Sequence, residues 1–68
     1  MKAELNGLSD LEIRTQRAYA TRQFAWFHAM QQCSLAKGNV EAARAYADHM
    51  AECNDFIDSC NRKLGDVA

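Results

Sequence analysis

Proline is absent from this chain, and only three of its 68 residues are glycine. Because proline and glycine are the residues that most strongly interrupt helices, their scarcity favours long, continuous helices. Two of the glycines, Gly38 and Gly65, lie where the helical patterns that precede them end. The sequence therefore predicts one helix before Gly38 and a second between Gly38 and Gly65.

A strong charge imbalance and long apolar runs are also missing. The formal net charge is −1, which argues against a dedicated non-specific nucleic-acid binder and against a strongly acidic nucleic-acid mimic. No run approaches the ~20 apolar residues that cross a bilayer, and the first residues lack the apolar segment of a signal peptide. We therefore expect a cytoplasmic protein without a membrane partner.

The three cysteines form neither an even set nor a CxxC pair, so they do not predict a disulfide framework. We interpret Cys33, Cys53 and Cys60 as reduced thiols buried in the core. His49 and Cys53 have the spacing of two metal ligands on one helical face, and His28 lies on the other helix. Two ligands do not complete a site, so the sequence predicts neither a metal nor a cofactor.

Signals of catalysis are lacking as well. There is no glycine-rich phosphate loop and no pair of carboxylates in an apolar setting, and the chain is too short to build a deep cleft. A nucleophilic cysteine needs a base beside it and an accessible pocket, whereas Cys53 and Cys60 lie in the middle of an apolar pattern. The sequence therefore predicts no catalytic residue and a protein that is not an enzyme.

Local signals define the helix ends. The segment Ser9-Asp10-Leu11-Glu12 has the form of a capping box, and Lys37-Gly38-Asn39 has the form of a tight turn followed by a helix cap. These signals predict a first helix over about 9–37 and a second over about 40–64, with frayed ends at 1–7 and 66–68. The fold class predicted for residues 1–68 is a single all-α domain, a two-helix antiparallel hairpin.

Apolar residues on the second helix recur at alternating steps of three and four, as in a heptad seam: Ala43, Tyr46, Met50, Cys53, Ile57, Cys60 and Leu64. The first helix has two adjacent stripes. One contains Ile13, Ala20, Phe24 and Phe27, and the other contains Tyr19, Gln23, Trp26, Met30 and Cys33. One neighbouring helix cannot cover both stripes, so a second neighbour is expected.

A chain of this length buries too little apolar surface for comfortable stability on its own. We expect two hairpins to pair as a homodimer that forms a four-helix bundle, although a groove for a different protein is the competing solution. The residues predicted for the dimer or partner interface are those of the aromatic part of the first helix: Tyr19, Gln23, Phe24, Trp26, Phe27 and Met30.

The basic residues of the first helix predict an alternative function. Arg14, Arg17 and Arg22 lie among polar residues and could contact RNA or DNA. The hairpin layout is similar to that of the small plasmid-encoded RNA-binding dimer that controls copy number, but no residue of its RNA-contacting face is matched. An ordinary solvated surface is the competing interpretation, because the acidic residues of the second helix offer these arginines partners.

Two segments, Glu12 to His28 (EIRTQRAYATRQFAWFH) and Ala45 to Met50 (AYADHM), resemble the small helical proteins encoded in the early region of lambdoid phages, between the exonuclease and excisionase genes. The resemblance extends over most of the chain but carries no catalytic or binding motif. It implies an accessory protein that acts in the bacterial cytoplasm early in infection and influences the choice between lysis and lysogeny. Its expected partner is a host or phage regulatory protein.

Overall fold

The computed structural model describes residue 5 and residues 7–65. Helix α1 spans Asp10–Ala36 and helix α2 spans Val40–Leu64, and the two pack against each other along their lengths. No residue in this part of the chain lies in a strand, so the predicted all-helical hairpin is confirmed. Neither of the two helices is apolar enough over a sufficient length to cross a membrane.

Helix α1 begins with the predicted capping box. The backbone N–H of Glu12 donates to Ser9 Oγ at 3.2 Å, and the backbone N–H of Ser9 donates to Glu12 Oε1 at 2.9 Å. These hydrogen bonds to Ser9 lower the pKa of the Glu12 carboxyl below its ordinary value. Because the charged carboxylate is the stabilising form, its contribution is present at neutral pH and is lost as the pH falls through the lowered pKa.

Replacing Ser9 with alanine is expected to reduce the free energy of unfolding by about 1 kcal/mol, because a backbone N–H at the start of α1 loses its acceptor. Ser59→Ala is a matched control, since the Ser59 hydroxyl donates only to the Asp55 carbonyl inside α2. Urea unfolding followed by circular dichroism measures both variants. Equal stabilities for Ser9→Ala and Ser59→Ala would contradict a role for the cap.

The turn between the helices is short because Gly38 takes a left-handed conformation with φ at 74°. Its N–H donates to the Leu35 carbonyl at 3.0 Å, and the N–H of Asn39 donates to the Ser34 carbonyl at 2.8 Å. The Asn39 side chain then accepts from the Ala42 N–H at 3.1 Å and caps α2. These bonds reverse the chain within three residues and make the helices antiparallel.

The apolar core is concentrated toward the end of the hairpin away from this turn. Its buried members are Leu5, Ile13, Ala20, Phe56 and Cys60, and the half-buried Leu8, Ile57 and Leu64 pack against them. Cys60 is completely buried. The prediction that the chain is frayed over 1–7 is wrong for Leu5, which is 7% exposed, because its apolar side chain completes this core. The rest of that prediction, apart from Gly7, falls outside the described residues.

The side of α1 that faces α2 follows its own heptad spacing: Ile13, Arg17, Ala20, Phe24, Phe27, Gln31 and Ser34. All seven are buried or half-buried. Two polar members bond to α2, because Arg17 Nη1 donates to Asn61 Oδ1 at 2.7 Å and Gln31 Nε2 donates to the Ala43 carbonyl at 3.4 Å. We call this row the intrachain seam of α1.

Candidate interaction surface

Next to the intrachain seam, α1 carries a second row of residues that α2 covers only in part. We call it the aromatic flank, and its members are Tyr19, Gln23, Trp26, Met30 and Cys33. Trp26 is 56% exposed and Tyr19 is 54% exposed, whereas Gln23 and Met30 are half-buried. Two large aromatic rings on one side of a helix are therefore mostly open to solvent.

The exposed Trp26 ring is held by neighbours from both helices. It meets the Phe27 ring edge-on, with centroids 5.3 Å apart, and the Tyr46 ring edge-on at 6.2 Å. Phe27 in turn stacks on the His49 imidazole, with centroids 4.9 Å apart and planes at 19°. Such aromatic pairs stabilise each other by about 0.5–1.5 kcal/mol, so these contacts favour this orientation of the Trp26 ring.

The six predicted interface residues thus divide into two groups. Phe24 and Phe27 belong to the intrachain seam and are half-buried against α2. Tyr19, Gln23, Trp26 and Met30 belong to the aromatic flank. The heptad pattern of α2 places the Tyr46 ring toward α1, but no sequence signal predicts that His49 stacks on Phe27.

The three arginines predicted as a nucleic-acid face do not share one environment. Arg14 and Arg22 are exposed, whereas Arg17 is half-buried and reaches across to Asn61. At 100° per residue, Arg17 and Arg22 are separated by about 140° around the helix. Only Arg22 adjoins the aromatic flank, where it lines an open groove of about 260 Å³ together with Thr15, Gln16 and Tyr19.

The prediction that all three cysteines are buried is wrong for Cys33, which is exposed. Cys33 is the last residue of the aromatic flank, so α2 does not reach it. Cys53 and Cys60 are buried as predicted. Burial raises the pKa of both thiols above the ordinary value, and the nearby Glu52 carboxylate also contributes at Cys53.

These environments predict a difference in thiol reactivity. The native protein should react quickly with one equivalent of an alkylating reagent at pH 8, at Cys33, because the thiolate is the reactive form. Cys53 and Cys60 should react only after unfolding in urea. Mass spectrometry of the labelled peptides measures this directly, and rapid native labelling of Cys60 would contradict the core packing.

No group of three or more histidine, cysteine or acidic side chains within residue 5 and residues 7–65 is arranged to hold a metal ion. The ring of His49, one of the two ligands considered from its spacing to Cys53, stacks on Phe27. What the geometry offers is an apolar, aromatic contact surface with one exposed thiol at its end.

The fold and this surface define a class of protein, the small helical hairpin with an uncovered aromatic side. The sequence matches no protein-family model, and no curated protein or solved structure shows a significant similarity to it.

Proposed function

We propose that this protein is a small, non-enzymatic accessory protein that acts by binding other proteins, and that its first partner is a second copy of itself. The aromatic flank is the surface for self-association, and two hairpins then form a four-helix bundle. The outer faces of that bundle bind a regulatory protein. The proposed setting, which the resemblance to lambdoid early-region proteins implies, is the bacterial cytoplasm during early phage infection, where the protein influences the choice between lysis and lysogeny.

The observation that carries the proposal is the exposure of Trp26 and Tyr19 on one side of α1. An aromatic side chain presents about 150–250 Å², so covering its exposed half is worth roughly 2–3 kcal/mol at about 25 cal/mol per Å². Two such rings from each of two chains contribute roughly 8–12 kcal/mol. That gain is comparable to the roughly 4–15 kcal/mol cost of association, so the two rings offset much of this cost and the other contacts of the interface determine the affinity.

Light scattering in reducing buffer at a series of concentrations tests self-association. The expected mass rises from that of the 7.7 kDa chain toward twice that value as the concentration is raised to the millimolar range. A constant mass of one chain up to millimolar concentration would rule out the dimer. The aromatic flank would then be open to a different protein.

Binding to a regulatory protein is tested with the purified dimer as bait in a bacterial lysate. The expected result is a specific partner that is retained at moderate salt and after nuclease treatment. Variants of exposed residues outside the aromatic flank, such as Arg44→Glu and Asp48→Arg on α2, would locate its binding face. Loss of every retained protein after nuclease treatment would favour nucleic-acid binding instead.

Nucleic-acid binding remains a second candidate because of one feature, the groove that places the exposed Tyr19 ring beside the Arg22 guanidinium. Aromatic rings next to basic groups are the usual elements of single-strand binding. If this function is correct, Arg14→Gln with Arg22→Gln should weaken salt-sensitive retention on heparin or RNA. Arg44→Gln with Arg62→Gln on α2 removes the same charge and serves as the control. Under the main proposal, the two double variants behave alike.

A further inference from the structure

The aromatic flank has the spacing of a complete helix-packing seam. Its members follow one another at steps of four, three, four and three residues, and each lies one position before a member of the intrachain seam. One residue corresponds to a rotation of 100° about the helix axis. Helix α1 therefore has two rows of residues with heptad spacing, and the rows point in directions about 100° apart around the helix axis. A helix that packs against two neighbours in a bundle has this geometry.

The flank is also nearly symmetric about its central residue. Tyr19 and Cys33 each lie seven positions from Trp26, and Gln23 and Met30 lie three and four positions away. A two-fold interface requires a surface that complements itself: if residue i of one copy contacts residue j of the other, then residue j of the first contacts residue i of the second. An antiparallel pair of α1 helices centred on Trp26 meets this requirement, because it places a large Tyr19 against a small Cys33 at both ends.

The distribution of the core makes the two ends of the hairpin different. Leu5 and Leu8 already pack onto the end formed by Ile13, Phe56 and Cys60. Among the described residues, no third segment covers the half near the turn, where the Trp26, Phe27 and Tyr46 rings meet. A two-fold axis at Trp26 directs the two covered ends away from each other and sets the near-turn half of each α1 against residues 16 to 26 of the other copy.

We propose that the second copy docks with its α1 antiparallel to the first and with the two-fold axis at Trp26, an inference that rests on the proposed self-association. Tyr19 of one copy then contacts Cys33 of the other, and Gln23 contacts Met30. A parallel pair would instead bring the two covered ends together and set Arg22 beside its own counterpart. Antiparallel helices also place the opposite ends of their dipoles next to each other.

The size of this contact fits a weak, specific dimer. Residues 19 to 33 extend over about 21 Å of helix, and the hairpin is 20 Å wide. A contact of these dimensions covers about 400 Å² on each copy, or about 800 Å² in total, which is the size of a weak interface and below the standard size of stable ones.

Disulfide trapping tests the register, with Tyr19→Cys as the first variant. After reduction and treatment with diamide, the thiol introduced at position 19 should link to Cys33 of the other copy. This covalent dimer should form at least about tenfold faster than any dimer of the wild type, because docking raises the local thiol concentration. A link within one chain is excluded, since fourteen positions on a helix separate the thiols by about 21 Å, whereas a disulfide needs Cα atoms within about 7 Å. Peptide mass spectrometry identifies the linked pair.

Two variants are matched controls. Thr21→Cys places an exposed thiol on the opposite side of α1, and Tyr19→Cys with Cys33→Ser removes the expected partner. Neither should form dimers faster than the wild type.

A second test keeps Tyr19: Gln23→Cys with Met30→Cys, in a Cys33→Ser background, should link position 23 of one copy to position 30 of the other.

The possible results distinguish a wrong register from a failure of the self-association on which the register rests. A wild type that links readily through Cys33 to Cys33 would overturn the antiparallel arrangement in favour of a parallel one. A dimer by light scattering that yields neither the 19 to 33 nor the 23 to 30 link would overturn the register and leave self-association standing. A wild type with the mass of one chain would overturn both.

Discussion

Replacing Trp26 with alanine is expected to weaken self-association by at least about 100-fold, because central aromatic residues dominate the energetics of small interfaces. The ring is 56% exposed in the single hairpin, so more than half of its surface can be buried only by a partner. In a two-fold dimer, each molecule loses the same ring. Light scattering over a concentration series should show the mass of one chain where the wild type is dimeric.

The control for this experiment is Leu11→Ala, since Leu11 is an apolar residue of α1 that is 73% exposed and lies outside the aromatic flank. It should leave the dimer unchanged. Trp26 also contacts Phe27 and Tyr46, so thermal unfolding at a concentration where both proteins are monomeric measures the separate effect on the hairpin. If Trp26→Ala and Leu11→Ala associate equally, the aromatic flank is not the interface.

The largest effect on folding is expected from Phe56→Ala. Phe56 is 8% exposed and joins the core formed by Leu5, Ile13, Ala20 and Cys60. Removing a buried phenylalanine ring lowers the free energy of unfolding by about 3–5 kcal/mol, which is about the whole stability that a core of this size supplies. We therefore expect a chain that is largely unfolded at 25 °C, with most of its circular dichroism signal at 222 nm lost.

Two further variants make this result specific to the core. Leu35→Ala truncates an apolar side chain that is 49% exposed and should change the midpoint of urea unfolding only slightly. Phe56→Leu retains most of the apolar volume and should cost less than about 1.5 kcal/mol. If Phe56→Ala unfolds at the same urea concentration as Leu35→Ala, the buried position of Phe56 is incorrect.

The secondary structure could be read from the sequence because its signals are local. Ser9 and Glu12 bond to each other within one helical turn, and Gly38 and Asn39 reverse the chain through their own conformations and hydrogen bonds. None of these interactions depends on a distant residue. The predicted helix ends at Ser9 and Lys37 accordingly fall on the N-cap and C-cap of α1.

The candidate surface was only partly predictable for the opposite reason. Heptad spacing shows that α1 has two apolar rows, but it does not show which row packs against α2. Because the row of Phe27 packs against α2, Phe27 is partly covered and Trp26 is open to solvent. The same choice leaves Cys33 exposed and Cys60 completely buried, although both were predicted as core thiols. The stacking of His49 on Phe27 likewise depends on the register between the helices.

By itself, the sequence determined the two helices, the turn at Gly38 and the amphipathic pattern that makes a hairpin, because capping, turn conformation and periodicity act over a few residues. Only the tertiary structure decided that Leu5 folds back onto Ile13 and Phe56, and that Tyr19 and Trp26 remain uncovered. The physical reason is that burial depends on which distant surfaces compete to cover a side chain. Periodicity specifies the direction of that side chain but not its neighbour.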